Sequence, residues 1–480
     1  MKRTFFVNLV FVVLLNLLIK PLWALGVERG VQNTLGFGDY GAYYALLNLS
    51  FLFAGLLDFG IQAYTSRLAS REEAGLDHLF SQVLVLKIIG FVIYAVLSWV
   101  LAMSLGIPSA QWICLAFLLV SQACAQFILF LRSGIAGKGN YRWDSLLSVS
   151  DKAFMILFVA AVLYLPSLKS YLNITVFAFL QCLAYVITLI ISLILFRLSK
   201  IPMPRPQDFS GVKELVPKAF PYALIGLLMT IYFRADTLMI RSFCGNKENG
   251  IYAAAYRLLD ILNMFSYLFA ALLLPMFGKL LRKRESVRQL SSLAARLLFG
   301  ATWLIACIVF MERDAIFSLL YKTPNDYGAD VMGFLLFSLP FVGVLYVYGT
   351  LLTAEGDIWH MNKMVGSAVA LNLVGNYLFI QHYGALGAAF VAVCTHAFVA
   401  VMNFNRSFTK FNWGIKWTAS LRVFSLVILM PVGLYLVDQL FDNYVLALLM
   451  MAIAGVSFLF VMRWWRFAEL KDLVLEKIKN

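Results

Sequence analysis

An all-α integral membrane fold of about fourteen transmembrane helices is what this sequence predicts, on three observations. Hydrophobic residues fill 62% of the 480 positions and charged residues only 13%, whereas a soluble domain is about 25% charged. The apolar residues gather into about fourteen runs, each near the ~20 residues that one helix needs to cross a bilayer. Lys and Arg then fall overwhelmingly on one side of the resulting topology. Backbone groups in hydrocarbon must be hydrogen-bonded within the segment, which makes helices the spanning structure for runs of this length.

In order, the runs cover 5–27, 40–63, 79–104, 110–131, 144–165, 171–196, 217–241, 250–278, 291–311, 331–354, 358–381, 384–405, 418–440 and 444–462. The first begins after Lys2-Arg3 and superficially resembles a leader peptide. No small-residue cleavage site follows it, and Lys20-Pro21 leads into more apolar sequence, so it reads as the first span. Pro21, Pro221, Pro275 and Pro340 lie in or at the ends of spans, where proline kinks or hinges a helix. With the N-terminus inside, the inside segments collect about 28 Lys and Arg and the outside loops about 6. That is the positive-inside pattern, and it predicts an even span count with both termini cytoplasmic. It also accounts for the net charge of +14 without a nucleic-acid partner. Two inside segments, 209–219 and 464–478, are amphipathic; they read equally as interfacial helices and as solvated connectors.

Several chemistries are excluded. The six cysteines are scattered, and neither they nor His78, His360, His382 and His396 have metal-ligand spacing, so no metal site and no disulfide framework is expected. No G-x-x-x-x-G-K-[ST] loop exists; 134–139 lacks its spacing and its hydroxyl residue. ATP hydrolysis is therefore not expected, nor is any cofactor. The longest outside segment, Glu312 to Asp330, spans only about twenty residues, too short for a catalytic domain of a membrane glycan polymerase or ligase, so the chain is not read as an enzyme.

An internal echo organises the spans. Gly41-x-Tyr43 opens the second span after a turn containing Gly36, Gly38 and Asp39; Gly250-x-Tyr252 opens the eighth after a turn containing Gly245 and Asn246. Two six-span halves with two trailing spans fit this offset, and repeated halves with a site between them recur in secondary transporters. The expected division is an N-terminal lobe 1–198, a cytoplasmic linker 199–216, a second lobe 217–408, and two further helices with a cytoplasmic tail in 409–480.

The stretch Ile231 to Asp260 concentrates charge where charge is expensive. Arg234, Asp236, Arg257 and Asp260 flank the turn between two spans, and a charge at the bilayer centre costs about 2.5–3.5 kcal/mol on insertion scales. Lys20 and Asp58 occupy the matching spans of the first half, and Lys87, Asp151 and Lys152 also sit in apolar runs. Arg257 and Asp260, three apart, share a helix face; Arg234 and Asp236, two apart, diverge, as do the neighbours Asp151 and Lys152. One reading makes Lys20, Arg234 and Arg257 binders of an anionic ligand, since a guanidinium grips phosphate oxygens in a bidentate fork. Asp58, Asp236 and Asp260 then tune the cavity or carry a coupling ion, H+ or Na+. The other reading is snorkelling and structural ion pairs, preferred for Lys87 and Asp151.

Four stretches resemble the polysaccharide-exporter branch of the MOP superfamily, the Wzx-type, MATE-like flippases. They are Leu35 to Tyr44 running on to Leu57-Asp58-Phe59-Gly60 and Arg67; Arg234-Ala235-Asp236 through Met239-Ile240; Gly250 to Arg257; and Tyr383 to Ala389. The resemblance implies a V-shaped transporter of two six-helix lobes around a central cavity, plus two C-terminal helices. The implied substrate is an oligosaccharide repeat unit on polyprenyl pyrophosphate (O-antigen or other lipopolysaccharide glycan, capsule or exopolysaccharide), moved to the periplasmic leaflet of the bacterial inner membrane. Glycan polymerases or ligases are the implied protein partners. A drug/cation antiporter on the same fold is the main rival; it calls for an acidic cavity, whereas the charges here are mixed, with Arg prominent.

Overall fold

The computed structural model describes residues 15–58, 76–199, 212–323, 325–414, 417–441 and 443–465. Among the described residues there is no strand. The principal helices are α1 (Arg29–Leu52), α2 (Leu76–Ser104), α3 (Trp112–Gly137), α4 (Tyr141–Tyr164), α5 (Ile174–Leu198), α6 (Val212–Cys244) and α7 (Asn246–Arg282). They continue as α8 (Arg288–Met311), α9 (Asp326–Leu336), α10 (Ser338–Glu355), α11 (Ile358–Lys410), α12 (Trp417–Asp438) and α13 (Tyr444–Val461). Among the described residues, twelve helical stretches are long and apolar enough to cross a membrane.

Twelve stretches accommodate fourteen crossings because two are double. Leu15–Leu57 has 43 residues and Ile358–Lys410 has 53, each about twice the ~20 of one crossing. Each is broken at a glycine: Gly36 at φ 76° in α1 and Gly384 at φ 57° in α11. A positive φ is sterically open to glycine and closed to most other residues, so the turns expected near Gly36 and Tyr383-Gly384 are where the chain bends. Other ends carry ordinary caps. Asn173 accepts hydrogen bonds from the Thr175 and Val176 N–H groups, 3.0 and 2.9 Å away. Asn443 does the same for α13, and Gly356 at φ 88° closes α10; both are standard solutions for unpaired helix-end groups. The segment 312–330, expected outside, is not wholly loop: Arg313–Leu320 is helical, and Arg313 Nε lies 2.7 Å from Asp330 Oδ1. The linker 199–216 and the 464–478 segment fall mostly outside the described residues.

Packing divides the chain into two compact units, Met1–Ala253 with Val365–Gly384, and Ala254–Met364 with Ala385–Asn480. Thus α6, the start of α7 and the first limb of α11 are grouped with the first six spans.

The first unit is built around α1. Tyr40, Tyr43, Leu46 and Leu49 are buried against Leu115, Leu118 and Phe177 of α3 and α5, and the Tyr43 and Phe177 rings lie 4.6 Å apart. The two echoed turns meet inside this unit. Gly41 and Gly250 approach so closely that a Cβ on Gly41 would sit 1.8 Å from the Asn246 carbonyl oxygen, and one on Gly250 would sit 1.9 Å from that of Phe37. Side chains seal the contact from both directions: Asn249 donates to the Gly41 carbonyl at 2.7 Å, and Gln32 donates to the Gly250 carbonyl at 3.0 Å. In lipid, helices gain little hydrophobic attraction for each other, so close packing at small residues and interhelical hydrogen bonds must hold them together.

The second unit has two apolar clusters. Leu273, Phe277, Leu298, Val347 and Leu351 join α7, α8 and α10. Leu304, Met430, Leu434, Met451 and Leu459 tie the trailing helices α12 and α13 to α8.

Replacing a helical glycine by alanine ordinarily stabilises by about 1 kcal/mol. Gly278→Ala, with open space around its added methyl, is expected to follow that rule in thermal melts of the detergent-solubilised protein. Gly250→Ala, in the same helix, must displace backbone and is expected to destabilise by about 1–3 kcal/mol or more.

Candidate functional site

Asp236 is the most elaborately held of the predicted site residues. It lies in α6, is 4% exposed, and accepts two hydrogen bonds from different elements. Tyr252 Oη donates to Oδ2 at 3.0 Å from the start of α7. Asn376 Nδ2 donates to Oδ1 at 2.6 Å from the first limb of α11, and also reaches Asn372 Oδ1 at 3.1 Å. Asn372 and Asn376 are themselves buried, and Asn376 Oδ1 accepts no hydrogen bond. The result is a buried carboxylate whose Oδ1, like the Asn372 amide oxygen, accepts from the Asn376 amide nitrogen. Hydrogen bonds stabilise the anion, but its charge remains in a low-dielectric interior where isolation is costly.

Arg234, two residues earlier, faces elsewhere, as its spacing requires. Its Nη1 donates to Asn48 Oδ1 of α1 at 3.1 Å, and its guanidinium lies over the Phe51 ring, 4.8 Å from the centroid. Amide and aromatic face together replace part of the lost hydration of the cation. Arg234 and Asp236 therefore serve two different surroundings, one cationic and one anionic.

Lys20 is half-buried and lies in electrostatic range of Asp151, Lys152 and Arg132. Asp151 and Lys152, expected to diverge, instead meet: Lys152 Nζ is 3.6 Å from Asp151 Oδ2. The long lysine stem curls back along its own helix and also brings Nζ to 3.4 Å from Tyr185 Oη and over the Trp23 ring. Glu28, which accepts a hydrogen bond from Tyr40 Oη at 2.7 Å, acts on the same ammonium group. Lys87 is wholly internal rather than snorkelling, donating to the Leu57 carbonyl at 3.0 Å. Asp58 closes the single helical turn Gly55–Asp58; its side chain lies outside the described residues. In the second unit, Arg257 is buried at 6% exposure, whereas Asp260, one turn on in α7, is exposed. Among the described residues, no group of three or more His, Cys, Asp or Glu is placed to hold a metal ion.

Sequence reasoning picked out Asp236 and Arg234 but not their partners. Asn372 and Asn376 carried a readable signal, two amides one helical turn apart in an apolar run. Asn48 and the influence of Glu28 on Lys152 carried none, and the echo that marked Tyr252 gave no sign that it meets Asp236, because each depends on which helices become neighbours.

Membrane-spanning helices of this chain thus bury charges of both signs. The profile described as polysaccharide biosynthesis protein matches residues 7–281, more than half of the chain, and the chain belongs to that family. The MatE profile matches residues 221–378. Among solved structures, the lipid II flippase MurJ in an inward closed conformation superposes with a TM-score of 0.71. That match covers 98% of this chain and 100% of that one at 14% identity. An inward-facing multidrug resistance MATE family transporter of the MOP superfamily gives 0.64 over 82% and 94% at 16% identity. At such identities the likeness establishes the fold, that of MurJ and MATE transporters. An uncharacterized membrane protein of Methanocaldococcus jannaschii is 21% identical over 327 residues, 65% of this chain and 75% of that protein.

Asn376→Leu removes a hydrogen-bond donor from a buried carboxylate and is expected to cost about 1–3 kcal/mol of stability. Asp236→Leu/Asn376→Leu, which removes the charge as well, is expected to recover part of that loss. A double-mutant cycle on chemical denaturation midpoints measures the coupling; additive losses count against the pairing.

Proposed function

We propose that the protein flips polyprenyl-pyrophosphate-linked oligosaccharide repeat units from the cytoplasmic to the periplasmic leaflet of a bacterial inner membrane by alternating access, with both of its termini in the cytoplasm. One observation carries the reading: guanidinium groups, Arg234 and the buried Arg257, are held within membrane-spanning helices of a polysaccharide-family chain. The physical need is specific. A pyrophosphate with sugars cannot cross hydrocarbon unaided, while its polyprenyl tail never has to leave it. Lys20, Arg234 and Arg257 offset the headgroup's charge and reduce its desolvation cost. Asp58 and Asp260 tune that field. Asp236, with Asn372 and Asn376, receives the coupling ion, H+ or Na+, whose gradient drives the cycle. The chain acts as a carrier and catalyses no bond change.

The MatE match across residues 221–378 supports a second reading, a drug/cation antiporter. The two separate experimentally: drug efflux from inverted vesicles with unaltered surface glycan belongs to the antiporter alone.

Arg234→Ala and Arg257→Ala are each expected to lower surface glycan about ten- to hundredfold in a complemented deletion strain, the loss of one charge-assisted contact. Membrane levels of the protein should stay unchanged by immunoblot. Normal glycan with both arginines removed overturns the proposal. Asp236→Asn is expected to abolish the dependence of transport on the ion gradient in proteoliposomes; sodium and proton gradients dissipated separately identify the ion.

A further inference from the structure

The second unit contains a cavity of about 690 Å³ that transport of a glycan does not use in the reading above. It lies where the start of α8, the end of α11, the start of α12 and the residues after α13 come together, with α10 behind them. Four arginines line it, Arg288, Arg296, Arg422 and Arg463, and among the described residues no acidic side chain does. Its inner walls are aromatic: Tyr348, Phe404, Phe408, Trp413 and Trp464. The walls are braced by ring contacts, with Tyr348 edge-on to Phe404 and Phe408 edge-on to Trp413, each at 5.3 Å.

One arginine is held by its guanidinium, and the backbone of another takes part in the frame of the cavity. Arg288 Nη2 donates to the Gly414 carbonyl at 2.6 Å, and the Trp464 indole donates to the Arg296 carbonyl at 2.7 Å. The other two, Arg422 and Arg463, form no ion pair among the described residues. Arg422 and Arg463, two like charges lining one hollow without a described counter-charge, favour an anion between them.

The cavity is also continuous with the apolar outer face of the bundle. Val423, one of its lining residues, is 40% exposed beside Leu421 at 59% and Phe424 at 62%. An occupant thus meets guanidinium groups at one end and hydrocarbon at the other. All four arginines lie on the side that the Lys/Arg asymmetry makes cytoplasmic, and basic pockets between helices on that side suit anionic headgroups.

We infer that this cavity is a binding site for an anionic phospholipid of the cytoplasmic leaflet. Its phosphate is held by Arg422 and Arg463 with Arg288 and Arg296 behind, and its acyl chains lie along the aromatic wall and the α12 face. The shared chemistry is a phosphate oxyanion, which a lipid headgroup or free phosphate can supply; the apolar exit selects the lipid.

The test uses the full chain in phosphatidylcholine nanodiscs doped with phosphatidylglycerol, read by native mass spectrometry of retained lipid and by thermal melting. Phosphatidylglycerol is expected to be retained and to raise the melting temperature, with no effect from inorganic phosphate at equal concentration. Arg422→Gln/Arg463→Gln is expected to weaken retention about tenfold or more. Ser292→Glu should weaken it likewise; it places a carboxylate at an exposed lining position and leaves every aromatic contact in place. Unchanged retention in a folded variant of either kind overturns the site, and stabilisation by phosphate equal to that by the lipid overturns the lipid as its occupant. Because lipid retention is read without glycan transport, failure here leaves the proposed function standing, and failure of that proposal leaves this site testable.

Discussion

Where Gly41 and Gly250 meet, two helix starts come together at backbone distance, and much of the first unit depends on that approach. No side chain fits between them. Because the backbones touch, Asn249 and Gln32 can each reach a carbonyl on the opposite segment. Because those segments are in register, Tyr43 and Tyr252, two residues along in each echo, both drop into the interior. One of them bonds Gln181 and the other bonds Asp236. A contact made of two missing side chains thereby positions the buried carboxylate through a single tyrosine. Small residues serve membrane helices in this way because lipid supplies no hydrophobic drive to push helices together.

Each internal charge is then accommodated by a different device. Arg234 uses an amide and an aromatic face, Lys152 a neighbouring carboxylate and two rings, Lys87 a backbone carbonyl, and Asp236 a hydroxyl and an amide. At Arg234, Lys87 and Asp236 the described partners include neutral dipoles, which replace part of the hydration that each charge gives up on burial.

The two units carry different polar equipment. The first holds the mixed cluster of Lys20, Glu28, Asp151 and Lys152 together with the Asp236 amide site. The second holds Arg257 and the arginine-lined cavity near its basic ends.

Span number, the helical class, and the identity of Arg234 and Asp236 as residues out of place in hydrocarbon were all legible in the chain. They depend on local quantities, run length, hydropathy and the cost of a charge, which need no knowledge of neighbours. The breaks at Gly36 and Gly384 were legible for the same reason. What the tertiary structure alone decided was partnership. It paired Asp236 with Asn376 across 140 residues and Arg234 with Asn48 across 186, curled Lys152 onto Asp151, and assembled one cavity from five separated segments. Helical periodicity fixes which face a side chain takes, but which helix faces it is set by packing over the whole bundle.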